Sequence, residues 1–379
     1  MKRLFWIGVL GLALLEAALV YFIMPMPGSQ RMRSLELAYA LYTWRWALRG
    51  VFGVVLLLGV MPVLRAPRAR WAAGVALLAL GGLTYVVNFR MAADAMFLQP
   101  RGVRMAPAAR NTVAMDRLVV GVEIDGQARA YPLQFIGYHH QVRDTVAGQQ
   151  VLVSYCTVCR TGRVFRPVVN GAPETFRLVG MDHFNAMFED RTTRSWWRQA
   201  NGEAVVGPLK GTAMPELPSV QVTLAQWLAL YPQSLVMQAD STFVAEYAKD
   251  YAFERGTKRG GLTGTDGGSW QAKSWVVGIA LGGAARAYDW NQLRRERVIN
   301  DTVGGVPIVL ALSADSASFF AFRRPPDARI LALRGDSLVG GDGAWALNGR
   351  GPSGRLQAIN ASQEFWHSWR TFQPATTRH

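Results

Sequence analysis

The chain has 379 residues, half of them hydrophobic, with Lys+Arg 41 against Asp+Glu 26 and a formal net charge of +15. That length gives room for two domains or one large one, and the apolar share is high for a purely soluble protein. No compact Lys/Arg run interleaved with aromatics is present, so the surplus charge does not point to nucleic acid.

The apolar material is concentrated at the N-terminus, in runs at 4–24, 46–64 and 71–89. Each approaches the roughly 20 residues that cross a bilayer as a helix. Trp6, Tyr21, Trp44, Trp46, Trp71 and Tyr85 lie near the run ends, as interfacial aromatics do. The first run lacks a small-x-small cleavage site and two more follow it, so it reads as a retained helix and not a signal peptide. Its one acid, Glu16, is either functional or merely turned toward a neighbouring helix or snorkelling to the interface, and the second is the plainer reading. Lys2 and Arg3 precede the first span, and Arg65, Arg68 and Arg70 join the second to the third. The positive-inside rule places both sites in the cytoplasm. It puts 25–45, despite Arg31, Arg33 and Arg45, and everything after about residue 90 on the outer side.

The exported part is expected to be α+β and strand-rich, in two internally repeated halves. Residues 118–166 overlay 275–323 without a gap: VVGVEIDGQARAY (119–131) matches VVGIALGGAARAY (276–288), and VRDTVAGQQVLV (142–153) matches INDTVGGVPIVL (299–310). Further on, GEAVVGPL (202–209) resembles GRGPSGRL (349–356), and QWLALYP (226–232) resembles SWRTFQP (368–374). A duplication over such a length is the first organisational feature to seek. Asp125-Gly126 and Ala147-Gly148 mark hairpins. Residues 132–138 read as a short helix opening on Pro132, and 224–232 as a helix stopped by Pro232. The expected organisation is 1–92 membrane region, 93–240 first repeat, 241–270 connecting segment and 271–379 second repeat.

Both cysteines of the chain fall in SYCTVCRTGRVF (154–165), as Cys156 and Cys159. Such a pair can form a disulfide, exchange it with another thiol, or give two thiolates to a metal. It can also be an inert staple, although a short loop gains little chain entropy from closure. In the second half these positions are Ser313 and Ser316, while His139 and His140 fall on Glu296 and Arg297, and Asp144 falls on Asp301. The residues shared by the halves are those a fold needs, and the unshared ones are chemically able. This argues for a task specific to the first half.

The stretch after Cys159 reads as a turn into a strand, unlike a thioredoxin site, whose pair opens a helix. Thiolate stabilisation is therefore expected from Arg160, Arg163 or a histidine. Arg160 stands where covalent haem attachment needs His. His139 and His140 precede the hairpin that delivers Cys156, so either can reach the cysteines, or the pair can simply cap a helix end. His183, with Met181 and Met187, makes a copper site conceivable. His367 and His379 receive no role. Trp196 and Trp197 either shape a pocket or form aromatic core on a strand, and the second is the plainer reading.

The motifs AYPLQFIGYHHQVRDTVAGQQVLVSYCTVCRTGRVF, FEDRTTRSWW and GEAVVGPLKGT resemble the bacterial domain-of-unknown-function family 3179. The resemblance covers about 115–240 well and the second half less strongly. It rests on Ala130, Tyr131, Pro132, Leu133, His139, Asp144, Thr145, Tyr155, Cys156 and Cys159, and on Asp190, Arg191, Thr193 and Trp196. Of the two adjacent histidines it selects His139. Arg143 replaces the usual Asn, and Thr157-Val158 the common Pro-Leu between the cysteines. Some members of the family are described as selenoproteins, which fits redox use of the cysteine segment.

The expectation is a protein of the bacterial inner membrane whose C-terminal domain faces the periplasm. Its thiol–disulfide site would comprise Cys156 as attacking thiol, Cys159 as resolving thiol, His139 as base or orienting group, and Asp144 holding the loop. No cofactor is expected. The partners would be the lipid bilayer and a thiol-containing protein. One alternative uses Cys156, Cys159 and His139 to bind copper or zinc, and another is a non-catalytic interaction module with a structural disulfide.

Overall fold

A computed structural model describes residues 1–247, 251–325, 330–341, 343–352 and 354–379. Residues 248–250 of the expected connecting segment and Ser353 of the second-half GRGPSGRL stretch lie outside the described residues. The chain divides into two compact units. One comprises Met1–Leu98, Phe176–Arg198 and Glu203–Thr212; the other comprises Gln99–Thr175, Gln199–Gly202 and Ala213–His379. With its apolar helices and many strands the chain belongs to the α+β class.

The first unit is built on α1 (Lys2–Tyr21), α2 (Leu35–Leu64) and α3 (Pro67–Tyr85), the last continued by one π-helical turn at Val86–Arg90. All three are long and apolar enough to cross a membrane, and they anchor the chain there. Lipid tails give helices no hydrophobic reason to associate, so close packing at small residues must do it. Gly8, Gly11 and Gly59 supply that contact: a Cβ on any of them would stand within 3 Å of Leu56, Phe52 or the Phe5 backbone.

Helix α2 starts at Leu35, well before the apolar run at 46. Hydropathy detects only the part that lies in hydrocarbon. The preceding LELAYALYTWR is rich in helix formers and carries Glu36 in the first turn, where the helix dipole favours an acid. This extra length presents Tyr39 and Tyr42 edge-on to Trp196, at ring centroids of 5.1 and 5.4 Å. Trp196 lies in a four-stranded antiparallel sheet formed by Phe176–Asp182, Asn185–Asp190, Trp196–Arg198 and Ala204–Val206. Trp196 and Trp197 are buried core, and their indole N–H groups donate to Glu189 at 3.0 Å and Asp190 at 2.9 Å. Asp190 also accepts from Thr193 and Ser195, which closes the turn at Arg191–Arg194.

Glu16 is turned inward and almost fully buried. Arg49 donates to its two carboxylate oxygens at 2.7 and 2.9 Å, and Asn88 from the π turn donates at 2.8 Å. The acid thus bonds neighbouring helices, the plainer of its two readings. Removing one partner would strand a buried charge, which typically costs 3–5 kcal/mol.

In the second unit, strand β1 (Met105–Pro107) precedes the hairpin β2 (Leu118–Ile124) and β3 (Gln127–Pro132). Its turn residues Asp125 and Gly126 have φ of +48° and +81°, as a two-residue hairpin turn requires. Helix α4 (Leu133–His139) follows, then β4 (Gln141–Val146), β5 (Gln149–Cys156) and β6 (Thr161–Phe165) as a three-stranded antiparallel sheet. Later come β7 (Val220–Thr223), α5 (Leu224–Leu230) and β8 (Leu235–Met237), and the strands align as β1-β8-β3-β2-β7.

The same order recurs downstream: β9 (Trp275–Leu281), β10 (Ala284–Asp289), α6 (Trp290–Glu296), β11 (Val298–Val303), β12 (Val306–Leu312) and β13 (Phe319–Arg323). Then β14 (Ser362–Phe365), α7 (Trp366–Phe372) and β15 (Thr377–Arg378) give the sheet β14-β9-β10-β15. Identical contacts recur with it. Arg129 and Tyr131 donate to Asp144, and Arg286 and Tyr288 donate to Asp301, with both tyrosine bonds at 2.8 Å. Gly121 lies under the Trp227 ring and Gly278 under the Trp369 ring.

Candidate functional site

Strand β5 is apolar and buried over its last six residues, and it carries Cys156 to the end of the sheet opposite Thr161. Residues 157–160 turn the chain back, and Arg160 takes a left-handed conformation at φ +58°. The turn brings the cysteines 3.8 Å apart. They are not joined in a disulfide, and both are fully buried.

The turn is held by residues more than a hundred positions away. Phe365 N–H, on β14, donates to the Cys159 carbonyl at 2.9 Å, and Lys273 Nζ donates to the Val158 carbonyl at 2.8 Å. His367 Nε2 lies 3.1 Å from Lys273 Nζ and 3.4 Å from the Val158 carbonyl. Ser368 hydrogen-bonds the Cys159 thiol. The Ser368 hydroxyl also donates to Glu364 at 2.9 Å, and Glu364 in turn accepts from Arg163 at 2.7 Å. Chain from β14 and α7 therefore completes a site whose thiols come from β5 and its turn.

Burial pushes the Cys159 thiol well up; proton sharing with Cys156 and the charge of that neighbour add to the rise, and the Ser368 hydroxyl opposes it. Cys159 thus holds its proton. Burial lowers the Lys273 ammonium, while both cysteines and Asp266 pull it back up, so lysine and thiols favour each other's charged forms. Burial, then the positive charge of Lys273, depresses His367 to about 4, so its imidazole is neutral at pH 7.

The expected cations serve elsewhere. The Arg160 guanidinium donates to Gln363 and to the carbonyls of Phe253 and Glu254, and lies 3.6 Å over the Trp275 ring. Arg163 pairs with Glu216 at 3.0 Å as well as with Glu364. The cation beside the thiols is Lys273, which sequence reading passed over, and His367 had been given no role. The signals available were slight: a histidine and a serine inside the aromatic stretch EFWHSW, and a lysine just ahead of a strand.

His139 ends α4, with Nε2 3.1 Å from the Tyr247 hydroxyl and its ring against Tyr138 and Phe243. His140, in a left-handed conformation, is the histidine tied to the cysteine strand. Its Nδ1 lies 3.1 Å from the Tyr155 carbonyl, and its own carbonyl accepts from Tyr155 N–H at 3.0 Å. Burial lowers it to about 4.

Asp144 lies farther along the hairpin than the cysteine turn. It pairs with Val151 across the hairpin, five residues before Cys156, or about 17 Å at strand spacing. There it fastens β3 to β4 through Arg129 and Tyr131, as Asp301 does without any cysteine nearby. His183 pairs with Asp182 at 2.5 Å in the unit that lacks the cysteines, and Met181 and Met187 lie in that same unit. Among the described residues no three His, Cys, Asp or Glu side chains form a metal-binding group.

Comparisons with curated proteins and with solved structures find no match. The profile of the family DUF3179, described as a protein of unknown function, matches residues 99–376. That range is well over half of the sequence and holds both cysteines, Lys273 and His367. The chain belongs to the DUF3179 family, here carried on an N-terminal membrane anchor.

Proposed function

We propose that this chain is a membrane-anchored thiol–disulfide exchange protein whose second unit lies on the periplasmic side. The observation that carries the reading is the pair of reduced cysteines 3.8 Å apart, with Lys273 bonded to the turn between them. The two thiols have unequal tasks. Cys156, as thiolate, attacks a sulfur of a substrate disulfide; one substrate thiolate leaves and a mixed disulfide remains. Cys159 then gives up its proton and attacks the Cys156 sulfur. This closes the Cys156–Cys159 disulfide and releases the second substrate thiolate. The raised Cys159 suits the resolving role, because its proton is retained until the mixed disulfide forms. Lys273 stabilises the thiolate. His139 orients the segment that leads through His140 to Tyr155, and Asp144 steadies the hairpin from a distance. The recurrence of strands, helices and the Asp144 and Asp301 bridges supports an internal duplication in which the second half has lost its cysteines and braces those of the first.

The test is a thiol titration of the full chain in detergent against a glutathione and dithiothreitol series, with metal analysis of the same preparation. The expected result is one metal-free dithiol–disulfide couple above about −300 mV. Lys273→Met should slow Cys156 alkylation about tenfold at neutral pH, by removing the cation that favours the thiolate. A disulfide that resists reduction throughout the series would make the pair a staple. One copper or zinc per chain surviving dialysis would make it a metal site.

A further inference from the structure

The membrane unit holds a cavity of about 560 Å³ that the proposed thiol chemistry does not use. Three helix faces converge on it. From α1 come Leu12, Glu16 and Leu19, and from α3 and its π turn come Leu80, Thr84 and Asn88. From α2 come Tyr42, Arg45, Trp46 and Arg49, at the i, i+3, i+4, i+7 spacing of one helix face. The cavity is apolar at the level of Leu12 and Leu80. It is cationic and aromatic at the level of Tyr42 and Arg45, where Asp94 and Arg177 also line it.

The charges there are not all matched. Arg49 is committed to Glu16, and Arg177 to Asp94 and Glu189. The Arg45 guanidinium lies 3.8 Å over the Tyr42 ring and donates to the Tyr42 carbonyl. It has no carboxylate partner among the described residues. A half-buried guanidinium at the edge of hydrocarbon, without a counter-charge, favours an anion beside it. An apolar chamber below that cation favours a hydrocarbon chain.

We propose that this cavity binds one anionic phospholipid of the surrounding bilayer, its phosphate on Arg45 and an acyl chain running toward Leu12 and Leu80. The full chain, equilibrated in vesicles of equal phosphatidylglycerol and phosphatidylcholine, would be extracted gently and weighed by native mass spectrometry. One phosphatidylglycerol should remain per chain, preferred over phosphatidylcholine about tenfold. Arg45→Gln should abolish that preference and Arg45→Lys should largely keep it. Leu80→Trp, which fills the apolar arm and leaves the charge alone, should lower retention of both lipids. Arg68→Gln, in the first turn of α3, serves as a surface-charge control and should change nothing. Equal retention of the two lipids by the parent chain, or an Arg45→Gln variant that retains phosphatidylglycerol like the parent, overturns the proposal. So does a Leu80→Trp variant with unchanged retention. Thermal protection by inorganic phosphate equal to that by the lipid would show an anion site with no chain recognition, and would overturn it as well.

Discussion

Lys273 and His367 are separated by ninety-four residues and meet at one carbonyl of the cysteine turn. Their closeness makes acid sensitivity a residue-scale property of the site. The His367 imidazole faces the Lys273 ammonium, the Arg370 guanidinium and the Val158 carbonyl; the two cations and burial disfavour its protonation, and the carbonyl favours it. Its folded value near 4 lies below the ordinary 6.5. An unfolded chain therefore takes up a proton there before the folded one does. Stability is full above pH 6.5 and falls as pH drops toward 4, by up to about 3 kcal/mol for this one group. His140, also held near 4 by burial, adds a loss of the same sign. The full chain in detergent should lose thermal stability between pH 7 and 4.5, and His367→Gln should make that loss shallower. Equal losses in both proteins would show that His367 is not the group being titrated.

Among the elements, the glycines beneath the tryptophans offer the sharpest comparison. A Cβ at Gly121 would stand 2.3 Å from the Trp227 ring, and one at Gly278 would stand 2.2 Å from the Trp369 ring. Overpacking of that kind typically costs 1–3 kcal/mol, and here the rigid indole has no flexible end to move aside. Gly121→Ala and Gly278→Ala should each lower the thermal midpoint of the full chain by a similar amount; a neutral result at either glycine would show that its indole can shift. Elements of this kind were legible in the sequence because local chemistry encodes them. Asp125-Gly126 and Ala147-Gly148 fix the hairpins, and the helix at Leu133–His139 opens after Pro132. The start of α2 was not legible, since residues 35–45 are only moderately apolar and their helix is settled by packing on Trp196. The site was half legible. The cysteines announce themselves by spacing, but Lys273 reaches their turn from just ahead of β9 and His367 and Ser368 reach it from α7, and no local pattern encodes such a contact. The place of Asp144 was not legible for the complementary reason: a carboxylate that bridges strands and one beside a thiol look alike until the register is known.

For the whole molecule, the division into units matters more than the boundary between the three apolar helices and the sequence that follows them. Residues 176–198 and 203–212 lie far beyond the last span in sequence, yet they pack with the first ninety-eight residues. Met181 N–H donates to the Ile23 carbonyl at 2.7 Å, and Gly180, at φ +156°, leaves no room for a side chain over Ile23. Arg177 pairs with Asp94 at 3.0 Å. Trp196, Val179, Met187 and Val206 share one buried cluster with Val20, Ile23 and Ala38. A fragment beginning near residue 93 keeps the strands of that sheet and loses the helix residues that cover them. Each large side chain so uncovered forfeits roughly 1.5–3 kcal/mol of burial. The fragment should therefore associate in solution, and proteolysis should cut it first between 176 and 212, a stretch that resists cutting in the full chain. Substituting Trp196→Ser and Val179→Ser in the fragment should reduce the association, because the exposed patch and not general unfolding is its cause. A monodisperse fragment as protease-resistant as the full chain would mean that the sheet needs no cover from α1 and α2.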